Sequence, residues 1–187
     1  MARKTRPIRL RPLVSGDLDV LVAWRNDPEV RDNLVGYPMP VTRAMEQAWL
    51  DRVMQSNEHE AHFAVETASG KLIGATSLRA IDWVVRQARF GMMIGDAASR
   101  GRGYGREILD QVLDFAFRDI NLERVYLEVA AFNVPAIRLY RSAGFVQEGT
   151  LRAHAFRLGK PCDMLVFGLL RTEWRRSGGA PRGPRKS

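Results

Sequence analysis

A short segment rich in arginine and glycine is the clearest candidate for ligand binding in this sequence. It follows an apolar run at residues 90–94 and leads into an amphipathic helical pattern that begins near Ile108. Glycines allow backbone N–H groups to converge on an anion, a helix N-terminus adds partial positive charge, and arginines add full charges. The order of strand, glycine loop and helix therefore predicts a phosphate-binding site. Its residues are Arg100, Gly101, Arg102, Gly103, Tyr104, Gly105 and Arg106.

The spacing of these glycines excludes two common nucleotide sites. Gly101, Gly103 and Gly105 alternate without the x-x-G step of the dinucleotide fingerprint, and the chain has no G-K-S/T sequence of the kind that a nucleotide P-loop needs. A flexible arginine-rich turn without a ligand is the alternative interpretation.

A second segment, residues 133–145, predicts a short helix that carries a phenol. Asn133 can act as N-cap, Pro135 belongs in a first turn, and Gly144 supplies a left-handed end, so we expect a helix from about residue 134 to 142. Its apolar stripe turns the ring of Tyr140 toward the protein body. A buried phenol needs a hydrogen-bond partner or a chemical task, and both interpretations of Tyr140 remain open on this segment alone.

Together the two segments resemble the GNAT superfamily of acyl-CoA N-acyltransferases. The pyrophosphate motif of that family, Arg or Gln followed by x-x-Gly-x-Gly or Ala, falls on Arg100, Gly103 and Gly105. A second motif, Asn-x-x-Ala-x-x-Leu-Tyr-x-x-x-Gly-Phe, falls on residues 133–145. The resemblance extends over residues 6–174. Residues 24–30 and 148–152 look like the RimJ/RimL-type branch, which acetylates the N-termini of ribosomal proteins, and spermidine acetyltransferases share much of that pattern.

The resemblance implies both the fold and the co-substrate. We expect an α/β GNAT fold, with a mixed, mostly antiparallel sheet of six to seven strands that is splayed between strands 4 and 5 and flanked by about four helices. Residues 1–174 would form this single domain, and the Gly-, Pro- and Arg-rich residues 175–187 a disordered basic tail. Acetyl-CoA would be the co-substrate. Its expected binding residues are Met92, Met93, Ile94, Arg100, Gly101, Arg102, Gly103, Tyr104, Gly105, Arg106 and Asn133.

The resemblance also implies catalytic residues. Glu128 precedes Tyr140 by twelve residues, a separation similar to the carboxylate and tyrosine pair of ribosomal-protein alanine acetyltransferases. Glu128 would act as base through a water molecule, Tyr140 would protonate the departing thiolate, and backbone amides near Met93 and Ile94 would polarise the thioester carbonyl. From the residues alone, Glu128 in a central strand is either paired with an arginine or exposed to a wet cleft beside the chemistry.

The acceptor is predicted from the charge of the expected cleft walls. The walls mix acidic residues with Arg152, Arg157 and Lys160, and Arg89 stands where many relatives carry an acid. This mixture favours an N-terminal α-amine of a protein, our best prediction, or an acidic or sugar-bearing amine, over a polyamine. The alternatives are a small amine (polyamine, amino sugar or aminoglycoside) and a non-catalytic acyl-CoA-binding regulator. Candidate substrate contacts are Trp24, Arg31, Tyr37, Met39 and His154.

Charge and composition restrict the remaining classes. The net charge is +8, but residues 1–11 and 171–187 carry +5 each, so residues 12–170 carry −2. Nucleic-acid binding is therefore expected only weakly, through the two basic ends. The histidines and the single Cys162 show no metal-ligand spacing, and no apolar run is long enough to span a membrane. We expect a cytoplasmic protein and leave a homodimer open.

Overall fold

The computed structural model describes residues 8–34, 39–55, 58–157 and 159–174. The protein forms a seven-stranded sheet with the strand order β1-β2-β3-β4-β5-β7-β6. All neighbouring strands are antiparallel except β4 and β5. The strands are β1 (Ile8–Pro12), β2 (Ala61–Thr67), β3 (Leu72–Asp82), β4 (Gln87–Ile94), β5 (Arg124–Ala130), β6 (Val146–Arg157) and β7 (Lys160–Leu170).

In the part of the chain that the structure describes, five α-helices flank the sheet, where about four were predicted. They are α1 (Leu18–Asn26), α2 (Pro28–Arg31), α3 (Arg43–Met54), α4 (Tyr104–Asp114) and α5 (Val134–Ser142). The additional helix is the four-residue α2, which begins at Pro28 after the N-cap Asp27. The predicted tail, residues 175–187, lies outside the described residues, so the proposed division of the chain stays a prediction.

The sheet opens between β4 and β5, as predicted. The parallel pairing joins Gln87 to Arg124, Ala88 to Val125 and Arg89 to Tyr126, and it ends there. Beyond this point β4 continues along β3, whereas β5 continues along β7. The two strands therefore diverge and leave a gap in the middle of the sheet.

The larger hydrophobic core lies on one face of the sheet, under α4 and α5. Val125, Leu127 and Val129 of β5 are buried on this face, in the alternation that the sequence predicts. Glu128 lies between them and faces the other side of the sheet. Side chains from α4, the following turn and β7 complete this core: Ile108, Leu109, Val112, Leu113, Phe117 and Phe167.

The opposite face is covered only in part, by α1 and α3. Leu21 of α1 and Leu50 of α3 are fully buried against Ala64 of β2 in a smaller core. Helices α1 and α3 therefore leave part of this sheet face open toward the gap between β4 and β5.

A buried ion-pair cluster attaches α1 to the edge of the sheet. The Arg11 guanidinium donates to both Asp17 carboxylate oxygens, at 2.7 and 2.8 Å, and also to Glu66. Burial raises the pKa of Asp17, but hydrogen bonds from Arg11 and the Val14 N–H outweigh this and lower it. Hydrogen bonds from Arg11, and then from Arg9, lower the pKa of Glu66.

We expect Arg11→Met to destabilise the protein by about 2 to 4 kcal/mol, because it leaves the buried Asp17 carboxylate without a charged partner and Glu66 with Arg9 alone. Carboxylates with lowered pKa values contribute stability that is complete above their unfolded pKa values, near pH 4, and is lost as the pH falls further. The wild type should therefore lose stability below about pH 4, and Arg11→Met should lose less. Urea unfolding from pH 3 to 7 measures both effects. Arg9→Met is the matched control, because the Arg9 side chain is 72% exposed, and an equal loss in this variant would contradict the prediction.

Candidate active site

The N-terminal end of α4 is open to an anion. Gly103 precedes the helix with φ +87°, and Gly101 has φ +69°, conformations that favour glycine. Within the described residues no side chain caps this helix, so the N–H groups of its first turn keep their capacity to bind a ligand. Gly101 and Gly103 line a cleft of about 680 Å³. This end of the cleft suits a phosphate group, as the loop sequence predicts.

Close packing explains the third glycine of the loop. A Cβ atom at Gly105 would lie 3.2 Å from Cδ2 of Leu139 in α5 and 3.5 Å from Cε of Met92 in β4. The preceding Tyr104 is only 5% exposed and belongs to the core, so it can offer a ligand its backbone N–H rather than its ring. Residues 104 and 105 thus fix the position of the helix end beside β4 and α5.

Arg100 holds the loop in place through contacts within the protein. Its guanidinium donates to the carbonyl oxygens of Ile94 and Gly95, both at 3.0 Å, and to the Glu29 carboxylate at 2.7 Å. Glu29 belongs to α2, so a single side chain links α2 to the end of β4. The sequence predicts Arg100 as a charge for the cofactor, and these contacts give it a positioning role as well.

The other predicted cofactor residues surround the same cleft, with two exceptions. The exposed Arg102 and the buried Tyr104 are not among the side chains that line it. Arg106 lines the cleft and donates to Asp110 at 2.9 Å and to the Ser142 carbonyl at 2.9 Å. The remaining lining residues of the predicted set are Met92, Met93, Ile94, Arg100, Gly101, Gly103, Gly105 and Asn133.

The end of β4 offers unpaired backbone to a ligand. After Arg89 the strand has no partner in β5, so backbone groups of residues 90–94 that face the gap are available to an extended molecule. Across the gap, Asn133 starts α5, and its Oδ1 accepts from the N–H of Ala136 at 3.2 Å. A ligand anchored at α4 can therefore run between β4 and α5 toward the sheet centre.

Tyr140 lies on the wall of this passage. Its ring is 7% exposed and packs edge-on against Phe90, with 6.3 Å between the ring centroids. Phe145 and Phe167 lie beside it. Burial raises the pKa of Tyr140 to about 12. The hydroxyl therefore keeps its proton at neutral pH and can act as a donor.

Glu128 is both paired with an arginine and exposed to the cleft, the two arrangements that the sequence leaves open. Its Oε2 accepts from Nη2 of Arg89 at 2.9 Å, and its side chain is 20% exposed. It also lines the cleft that Tyr140 lines. The carboxylate is thus held by an arginine and still faces the space where chemistry would occur.

The predicted acceptor contacts lie away from the cleft lining. None of the four within the described residues lines it: Trp24, Arg31, Met39 and His154. Trp24 instead packs on the end of β4, where a Cβ at Gly95 would come within 1.9 Å of its ring. Tyr37 lies outside the described residues. Substrate binding by these five residues stays a prediction.

Six side chains form the acceptor half of the cleft, and none of them is among the substrate contacts that the sequence predicts: Arg25, Glu46, Trp49, His62, Ser77 and Arg79. Strand alternation is the signal that could have found three of them. His62 pairs with Ser77 across β2 and β3, and Arg79 pairs with Arg89 across β3 and β4. These side chains therefore share one sheet face with Glu128.

Burial has the largest effect on the pKa values of Glu46 and His62 in the acceptor half. Glu46 is 5% exposed, and its burial raises the pKa of the carboxyl, although Arg25 at 4.0 Å opposes the shift. Burial also lowers the pKa of His62, despite its hydrogen bond to Glu60 at 2.9 Å. The His62 ring is therefore neutral at pH 7.

Comparison of the chain with protein families identifies the family to which it belongs. The profile of the Acetyltransferase (GNAT) domain matches residues 8–146, about three quarters of the chain. The chain belongs to this family. It is an acetyl-CoA-dependent N-acetyltransferase, and the resemblance found in the sequence is confirmed. The alternative of a non-catalytic regulator is therefore not retained.

The relatives of this acetyltransferase include spermidine acetyltransferases and a ribosomal-type enzyme. The spermidine N(1)-acetyltransferase of Vibrio cholerae serotype O1 is 29% identical over 167 residues, which are 89% of this chain and 95% of the relative. The crystal structure of a V. cholerae spermidine N-acetyltransferase in complex with CoA and spermine superposes with a TM-score of 0.83 at 29% identity, over 89% of this chain and 96% of that one. A Bacillus subtilis (strain 168) relative, named provisionally as the ribosomal N-acetyltransferase YdaF, is 30% identical over 105 residues, 56% of this chain and 57% of the relative.

These names bear on the predicted acceptor. They support the small-amine alternative better than our best prediction, the N-terminal α-amine of a protein.

In the described ranges, no helix is long and apolar enough to cross a membrane, and no group of His, Cys, Asp and Glu side chains is arranged to hold a metal ion. Cytoplasmic localisation and a homodimer stay predictions.

Substitution of Arg100 should lower the unfolding free energy more than substitution of Arg102. Arg100→Met removes bonds to two carbonyl oxygens and one carboxylate, so we expect a loss of about 1 to 3 kcal/mol in unfolding free energy and weaker binding of CoA. The exposed Arg102→Met should change stability by less than about 0.5 kcal/mol. Thermal unfolding and calorimetric titration with CoA measure the two effects. Equal melting temperatures for the two variants would refute the positioning role of Arg100.

Proposed function

We propose that this acetyltransferase transfers the acetyl group of acetyl-CoA to the primary amine of a small molecule. The observation that carries the proposal is the likeness, over nearly the whole chain, to enzymes whose named acceptor is a small amine. The glycine loop, Glu128 and Tyr140 line one cleft, which supports a direct transfer between two bound substrates.

Glu128 is the proposed base. An amine must be neutral to attack a carbonyl, and an alkylamine with a pKa near 10.4 is neutral in only about one molecule in two thousand at pH 7. The Glu128 carboxylate lines the acceptor side of the cleft and takes the proton through a water molecule. Arg89 stabilises its charged form by a hydrogen bond of 2.9 Å.

Tyr140 is the proposed acid. As the C–S bond breaks, its hydroxyl donates to the sulfur. With a pKa of about 12, full transfer to a thiolate of ordinary pKa near 8.5 would be uphill by about 5 kcal/mol. Burial also raises the pKa of a thiol, so the difference between the pKa of Tyr140 and the pKa of the CoA thiol is smaller when both groups are buried. Backbone N–H groups near Met93 and Ile94 polarise the carbonyl before attack.

A second candidate acceptor is the N-terminal α-amine of a protein. The likeness to YdaF over 105 residues favours it. An α-amine with a pKa of 7.7 to 8.0 is about a tenth neutral at pH 7, so it depends less on a base.

An acceptor screen with the purified protein tests the two candidates. Release of CoA from acetyl-CoA is measured with spermidine, amino sugars, aminoglycosides, amino acids, simple alkylamines and peptides with free N-termini. We expect kcat/KM for at least one small amine to exceed that for every peptide. A peptide preferred over all small amines would favour the second candidate instead.

Tyr140→Phe should lower kcat by about 10²- to 10⁴-fold, the usual contribution of a general acid. The affinity for CoA should not change, because the ring and its packing remain. Tyr126→Phe is the matched control, since Tyr126 lies on β5 outside the cleft lining. Steady-state turnover and CoA titration separate the effects, and a Tyr140→Phe enzyme as active as the control would refute the acid role.

Glu128→Gln should lose most activity at neutral pH and recover as the pH rises. Without a base, the rate follows the neutral fraction of the amine, which grows tenfold per pH unit below the amine pKa. We therefore expect the deficit relative to wild type to shrink by about tenfold per unit from pH 7 to 9. Glu148→Gln, which removes an equivalent ion pair with Arg124, is the control. A deficit that stays constant over this range would contradict the base assignment.

A further inference from the structure

Arg79 lies on the floor of the acceptor half of the cleft. On the sheet face that Glu128 shares, Arg79 pairs with Arg89, and two positions further on Ser77 pairs with Gly91. The Arg79 side chain extends over Gly91, where a Cβ would lie only 3.1 Å from its Nη2. The missing side chain at residue 91 thus makes room for a guanidinium beside the site of transfer.

The Arg79 guanidinium has no partner within the described residues. Its Nε is buried without a hydrogen bond, and no described carboxylate lies within ion-pair distance of its nitrogens. Burial, and then repulsion by Arg89, lower the pKa of Arg79, although attraction by Glu60 and Glu128 opposes the shift. Removing a charged group from water without a partner is costly, so a ligand that supplies the partner would bind favourably here.

The two carboxylates of this half already face arginines. Glu46 lies 4.0 Å from Arg25, and Glu128 lies 2.9 Å from Arg89. His62 adds no charge at pH 7, because burial lowers its pKa. Of the three guanidiniums in this half, Arg79 alone has no carboxylate within ion-pair distance in the described residues. Glu60, which attracts Arg79 electrostatically, is itself hydrogen-bonded to Arg52 and His62.

We propose that Arg79 binds an anionic group of the acceptor, a carboxylate or a phosphate, while the amine of the same molecule lies near Glu128. A guanidinium donates two parallel hydrogen bonds to either anion, which fixes orientation as well as supplying energy. The inference rests on the proposed acetyl transfer to a small amine. It narrows the acceptor to compact amines that carry an anion, and it disfavours polycations, which an unpaired arginine repels.

Pairs of acceptors that differ only in the anion test the inference on the wild-type protein. β-Alanine and 4-aminobutyrate are each compared with their primary amides, O-phosphoethanolamine is compared with ethanolamine, and spermidine is included. A charged hydrogen bond contributes about 1.5 to 3 kcal/mol, so kcat/KM for the anionic member should be about 10- to 150-fold higher. The carboxylate and phosphate arms show which anion is preferred.

Two variants assign the preference to Arg79. In Arg79→Met, KM for the anionic acceptor should rise at least about tenfold, whereas KM for its amide and the affinity for CoA should stay as in wild type. Arg79→Lys keeps the charge and should recover part of the loss. Arg118→Met is the matched control, because Arg118 pairs with Asp114 and lies outside the cleft lining.

The outcomes separate the inference from the proposed function. Turnover of amides or spermidine equal to or above that of the anionic amines, or an unchanged preference in Arg79→Met, would overturn the inference alone. No release of CoA with any acceptor would overturn the proposed function and the inference together. Should Arg79→Met fail to fold, the wild-type acceptor pairs and Arg79→Lys decide the question.

Discussion

The divergence of β4 from β5 is the constraint on which the site depends. Because parallel pairing stops at Arg89 and Tyr126, the sheet exposes backbone in its own centre, where a continuous ladder would bury it. The gap also joins the two faces of the sheet. Tyr140 reaches it from the core that α4 and α5 cover, and Glu128 reaches it from the face beneath α1 and α3. A donor and an acceptor bound on different sides can therefore meet at one point.

Electrostatics divides the cleft into two halves. The α4 half offers uncapped N–H groups and an arginine-rich loop, which suit the phosphates of CoA. The acceptor half combines two carboxylates with three arginines, and burial raises the pKa of Glu46 and lowers that of Arg79. The Arg79 guanidinium in this half is the basis of the proposal that the acceptor carries an anion, and that proposal differs from the polyamine acceptor named for the V. cholerae relative.

Local signals in the sequence predict the elements that carry the chemistry. Asn133 and Gly144 predict the two ends of α5, and the observed helix lies between them. The alternation of buried and less buried side chains along β5 places Glu128 on the face opposite the core. The acceptor residues are harder to predict, because Arg79 and Glu46 come to line the same cleft only through strand register and the packing of α3 on the sheet. Arg100 illustrates the same limit. Its charge is visible in the sequence, whereas its bonds to Ile94 and to Glu29 of α2 depend on tertiary contacts.

The bonds of Arg100 also mean that the cleft cannot be treated as two independent modules. One guanidinium holds the strand end that borders the CoA passage and the short helix that borders the acceptor half. A ligand that shifts that side chain would alter both walls at once. Its effect on the affinity of the other substrate would then be reciprocal, because each ligand must change the affinity of the other by the same factor.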